Sequence, residues 1–178
     1  MLSLSLRRPS ALRIDTHHRT ATEADSTHDP DSSHHRLTQS RIVGHEPAQF
    51  ARSADALLSL AMHRDAGVRP LRGTVDTGET VTVATRVLVV WVLFSCRVEE
   101  VTRTDDGASF RYVTLPGHPE EGEETFTLRL LPNGDVQLDI VANAGPTGAL
   151  VRALGPIAMA LQRRATKRYL DALESLAD

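Results

Sequence analysis

The sequence predicts an α+β domain in which a curved antiparallel β-sheet wraps a long C-terminal helix. Three observations carry that prediction. Between Glu79 and Asn143 a run of period-two segments is broken by tight-turn signals. Before and after this run, apolar residues recur at helical spacing instead. Strands joined by tight turns pair antiparallel, and the apolar face of such a sheet needs a cover. The C-terminal helix is the long apolar element available to cover it.

Taken in order, the chain begins with a segment that does not look folded. From Thr16 to Arg36 it is mainly Ser, Thr, Asp and His, with paired histidines at 17–18 and 34–35. That composition cannot bury a core, so residues 1–36 are expected to be a disordered tail and residues 37–178 a single domain. The tail has two readings, a metal scavenger or a solvated extension. Its basic residues follow the short apolar run rather than precede it, so no signal peptide is expected.

"RLTQSRIVG", Arg36 to Gly44, suits a first strand. Residues 46–67 read as one helix, with Pro47 in the first turn and Gly67 at the stop. Phe50, Ala54, Leu57, Leu58, Ala61 and Met62 give it one apolar stripe. His63 and Arg64 fall in its last turns, where the helix dipole favours positive charge. The stretch from Glu79 to Ser95 supplies one long strand or two short ones. Residues 96–104 follow, and "DDG" at 105–107 marks a hairpin. Residues 108–115 return, a Pro-Gly-His-Pro corner intervenes, and residues 123–131 form the next strand. "PNG" at 132–134 turns the chain into a last strand, 135–143. A long helix can start at Pro146, with Gly155-Pro156 kinking or splitting it. Its apolar stripe runs through Leu150, Leu154, Ile157, Ala158, Leu161, Ala165, Tyr169, Leu173 and Leu176. Such an arrangement is a helix grip, START/Bet v 1-like in kind, whose gap between sheet and helix often forms a cavity.

The segments "LLSLAMHRDAGV", "CRVEE", "YVTLPGHPEEGEETF" and "LGPIAMALQRRATKRYLDAL" together resemble the DUF1990 family, also called UPF0548. This is a bacterial and plant family of unknown function, and the resemblance runs from about Leu37 to the C-terminus. It implies a small stand-alone domain and no established activity. The chain departs from the family pattern in three places. Leu60-Ala61 stands where the family usually has Trp-Arg, and Val113 where a Gly often precedes the Thr-Leu-Pro-Gly-His-Pro segment. Ala144-Gly145-Pro146 stands where Ser-Arg-Pro is usual.

Candidate chemistry gathers around "YVTLPGHPEEGEE", Tyr112 to Glu124. Period two puts Glu124 on the same face as Phe126, Leu128 and Leu130, and Glu123 on the other with Thr125, Thr127 and Arg129. An inward carboxylate is desolvated and needs a partner, for which His118, Arg111 and Arg97 are candidates. His118 and Glu124 therefore have two readings. They form a proton-handling pair or ligand anchor at a pocket mouth, or they satisfy the backbone of a stiff corner built by Pro116, Gly117 and Pro119. The expected ligand-binding residues are Trp91, Arg111, Tyr112, His118 and Glu124. Trp91, with Val87 and Val89, is placed in the core or cavity wall.

Other chemistries find less support. The glutamates beside His118 lack diagnostic metal-ligand spacing, so no metal and no cofactor are expected. Cys96 is the chain's one cysteine. This rules out an internal disulfide, fits a reducing cytoplasm, and suits a small buried hydrophobe better than a nucleophile. A formal net charge of -3 and an aromatic content of 4% argue against nucleic acid as a partner. No apolar run is long enough for stable membrane insertion. The basic face of the last helix, with Arg152, Arg163, Arg164, Lys167 and Arg168, is a solvated face or a weak contact for anionic lipid or phosphate. The reading that fits best is a binding module rather than an enzyme, holding a small hydrophobic or amphipathic ligand between sheet and helix. The alternatives are an enzyme using His118 and Glu124, and a protein-interaction domain.

Overall fold

The computed structural model describes residues 35–87, 89–146 and 155–177. In chain order these form β1 (His35–His45), α1 (Glu46–Leu58), α2 (Ala61–Asp65), β2 (Val68–Arg72) and β3 (Thr80–Val87). There follow β4 (Val90–Arg103), β5 (Gly107–Thr114), β6 (Glu120–Leu130), β7 (Asp135–Pro146) and α3 (Gly155–Ala177). The strands make one antiparallel seven-stranded sheet in the order β1-β7-β6-β5-β4-β3-β2. Each neighbour from β2 to β7 is also the next strand in sequence, as tight turns dictate. β1 closes the far edge by pairing with β7, His35 opposite Ala144 and His45 opposite Asp135. The expected tail falls outside the described residues, except that β1 already begins at His35.

The expected single helix over residues 46–67 is two helices. Leu60 takes a left-handed conformation, φ 58°, that an α-helix cannot continue. The turn swings Leu60, Met62 and His63 into the core, where each is buried. Residues 79–95 resolve into two strands, with β3 and β4 paired from Thr80–Arg97 to Val87–Val90. β2 was not anticipated from the sequence. It contains Pro70, which donates no ladder hydrogen bond, and it lies at the sheet edge, where that is tolerated. β7 runs to Pro146 rather than stopping at Asn143, because its end pairs with Glu120–Gly122 of β6. The helix expected to start at Pro146 is described from Gly155 onward, with Gly155-Pro156 at its first residues. The intervening residues 147–154 lie outside the described set, as do the side chains of the first half of the expected stripe.

Helices and sheet pack one end of the molecule into a shared core. α1 packs against β5, β6 and β7. Its buried Phe50, Ala54 and Leu57 join Leu128, Val136 and Leu138 in one core. Phe110 and Phe126 stack at its centre with ring centroids 4.9 Å apart. The C-terminal half of α3 contributes Tyr169, Leu170, Ala172 and Leu173 to the same core and leans on α1, α2 and β1. Burying side chains of this size stabilises the fold by about 1.5–3 kcal/mol each. The far ends of β6 and β7 carry Gly122, Ala142 and Ala144, too small to fill the space beneath α3. A Cβ at Gly122 would collide with the Asn143 carbonyl and with Ala144, so the close pairing there requires glycine.

Candidate functional site

That unfilled end is a cavity of about 490 Å³ between the sheet and α3. Its size falls within the range of small-molecule sites. Phe94, Tyr112, Thr114, Ala142 and Ala144 line the sheet side. Gln162, Ala165, Thr166 and Tyr169 line the helix side, and Ala66 and Val68 come from the α2–β2 turn. The corner after β5 supplies His118, Pro119 and Glu120.

Glu124 points inward, as its parity requires, and sits directly opposite Tyr112 in the β5–β6 ladder. The Tyr112 hydroxyl donates a 2.5 Å hydrogen bond to its carboxyl. Protein encloses Glu124, yet it keeps a partly open surface toward the cavity. Burial pushes its pKa up to about 7, the Tyr112 bond opposes this, and the charge of Glu120 adds to it. At neutral pH this carboxyl is therefore poised between its two states. The Tyr112 and Tyr169 phenols are held well above their ordinary range, first by burial and then by Glu124. Glu120 is also raised by burial.

The partner of Glu124 is thus Tyr112, and neither candidate arginine occupies that position. Arg111 lies on the outer face and bonds Glu123 at 3.1 Å, because residue 111 points away from the face shared by Phe110 and Tyr112. Arg97 is exposed. His118 stands edge-on to Phe94, with centroids 4.5 Å apart. Its Nδ1 accepts the Glu120 amide N–H at 3.0 Å, and burial lowers its pKa. The His118 amide closes the turn onto the Leu115 carbonyl, and Gly117 has φ 95°. The Pro-Gly-His-Pro corner is therefore a braced turn and a cavity wall at once.

Two placements are corrected. Trp91 lies neither in the core nor in the cavity wall. It is 47% exposed on the outer face, with the Arg69 guanidinium 4.9 Å from its ring centroid. β4 turns Phe94, Cys96 and Val98 inward instead, which puts Trp91 and Leu93 outside. His63 is not a positive charge at a helix end. It is buried among Phe110, Tyr112, Phe126 and Tyr169, and burial pulls its pKa down to about 3. Neither ring nitrogen has a hydrogen-bond partner among the described residues. Cys96 is buried, and burial, with Glu124 second, pushes its thiol up to about 12. Such a thiol is a poor nucleophile. Among the described residues, no group of three or more His, Cys, Asp and Glu is placed to hold a metal ion.

A family model described as "Domain of unknown function (DUF1990)" matches residues 16–172. The chain belongs to the DUF1990 family. Consistent with that membership, it is 32% identical over 151 residues to a UPF0548 protein of Deinococcus radiodurans, covering 78% of this chain and 74% of that one. The DUF1990 match begins inside the segment expected to be a tail. Among solved structures, a Staphylococcus aureus protein of unknown function superposes with a TM-score of 0.59 at 7% identity, covering 84% of this chain and 96% of that chain. A Thermus thermophilus protein gives 0.59 at 13% identity over 80% and 96%. Ara h 8.0201 gives 0.54 at 10% identity over 81% and 97%. At these identities the likeness establishes the helix-grip fold of this DUF1990 member alone. No helix among the described residues is long and apolar enough to cross a membrane.

Proposed function

We propose that the protein is a binding module that holds one small amphipathic molecule between the sheet and α3. The observation that carries this reading is the cavity of about 490 Å³, apolar over Val68, Phe94, Ala142 and Ala144 and polar at Glu124, Tyr112 and His118. A mostly apolar space with a few convergent polar groups is the usual make-up of a ligand site. We place the protein in the cytoplasm, since its lone cysteine is a free, buried thiol. Fluorescence of an uncharged apolar dye, N-phenyl-1-naphthylamine, tests the reading. The expected result is saturable binding of one dye per chain, lost in Ala142→Trp while the far-UV circular dichroism is unchanged. A folded wild-type protein that binds no dye contradicts it.

The poised carboxyl favours one other reading, acid–base catalysis on a molecule held in the same cavity. Glu124, with a pKa of about 7, can both accept and return a proton near neutrality. His118 lines the same space. Turnover that follows a single titration near pH 7 and disappears in Glu124→Gln, with dye binding retained, would establish an enzyme.

A further inference from the structure

The charged groups lining the cavity are segregated. Arg164 and Arg168 come from α3 and the carboxylates Glu120 and Glu124 from β6, while Arg86 and Glu123 border the rim from outward-facing ladder positions, Arg86 opposite Trp91. The two helix arginines are exposed, and among the described residues neither has an ion-pair partner. One nitrogen of Arg168 reaches to within 3.7 Å of where a Cβ on Gly67 would lie, so its guanidinium hangs over the α2–β2 turn at the cavity edge. At the rim Glu123 is already bonded to the outer-face Arg111. Among the described residues the Tyr112 hydroxyl alone donates to Glu124, while a carboxyl can accept several hydrogen bonds. An acceptor with spare capacity inside an apolar space is costly to leave unpaired.

We propose that the cavity selects a small amphipathic anion bearing a neutral hydrogen-bond donor, such as a hydroxyl, at its other end. The anion meets Arg164 and Arg168 at the edge, the hydrocarbon body lies against Phe94, Ala142 and Ala144, and the donor reaches the Glu124 carboxyl. A neutral donor suits Glu124 better than an ammonium. It need not pass the arginines as a like charge, and it can bond the carboxyl in either protonation state. Arginine suits carboxylate or phosphate equally, because its planar fork matches both. This inference rests on the binding-module reading and specifies its ligand class.

The test is displacement of bound N-phenyl-1-naphthylamine by decanoic acid, 1,10-decanediol and 10-hydroxydecanoic acid, with shorter and longer homologues in parallel. The hydroxy acid should bind about tenfold more tightly than the simple acid, which lacks the donor, and than the diol, which lacks the anion. Glu124→Leu should erase the advantage over decanoic acid alone. Arg164→Gln with Arg168→Gln should erase the advantage over the diol alone. The wild-type series decides the matter even if Glu124→Leu does not fold. Comparable affinity for all three probes, or tighter binding of the acid or the diol, overturns the ligand class and leaves the binding module standing. No dye binding at all overturns the module itself. Decyl phosphate and 10-hydroxydecyl phosphate repeat the series with a phosphate head. The hydroxyl advantage should hold for either head group, and its absence from both overturns the inner donor contact.

Discussion

Replacing Glu124 by Gln should make the protein more stable at high pH. Burial raises the Glu124 pKa from 4.5 to about 7, so the folded state holds a proton that the unfolded state releases across that window. The associated stabilisation is complete below the unfolded value and is lost as pH rises through the folded value. A shift of that size corresponds to about 3 kcal/mol, at roughly 1.4 kcal/mol per pKa unit. Glutamine carries no charge and escapes the loss. It keeps an acceptor for the Tyr112 hydroxyl but brings an amide NH₂ that needs its own partner, a pH-independent cost of about 1 kcal/mol. Urea denaturation of both proteins at steps from about pH 5 to pH 8 measures the difference. The variant should be slightly less stable at the acid end and more stable by about 2 kcal/mol at the alkaline end. Parallel stability curves would refute the reasoning, because they would mean that Glu124 titrates as an ordinary solvated carboxyl.

Three further outcomes follow, two from buried groups and one from a close strand pairing. His63 has a folded pKa pulled from 6.5 to about 3, so its contribution is present above the unfolded value and is lost as pH falls toward the folded one. His63→Phe should flatten the acid limb of the stability curve, and ¹⁵N NMR should show a neutral ring at pH 5 in the wild type. Cys96, with its thiol pushed up to about 12, should be unreactive to a thiol-specific disulfide reagent when native and fully reactive in denaturant. Gly122→Ala places a Cβ against the Asn143 carbonyl and should cost about 1–3 kcal/mol in urea denaturation, through strain at a position that resists side chains.

Most of the architecture was legible because its signals are local. Turn residues at 105–107 and 132–134 fixed two hairpins, and period two put Glu124 on the core face. Its partner depended on register, which local patterns do not give. Tyr112 meets Glu124 only because the β5–β6 hairpin pairs them directly. Trp91 was misplaced because residues 87–94 are apolar at every position, so alternation carries no information there. The resolving signal lay downstream at exposed Arg97 and Glu99, which share the parity of Trp91. His63 was misread because one left-handed residue, Leu60, divides a pattern that looks continuous and redirects everything after it. The cavity follows from an absence of bulk at Gly122, Ala142 and Ala144, and small residues become a signal only after the strands are paired.

Whether the space under α3 holds a small molecule is read directly by native mass spectrometry of the protein purified from its own cells. The expected complex is heavier than the chain by one small amphipathic molecule, released on denaturation and absent from Ala142→Trp purified in the same way. A folded wild-type protein at the mass of the chain alone, which also takes up none of the probe amphiphiles offered to it, would contradict the account.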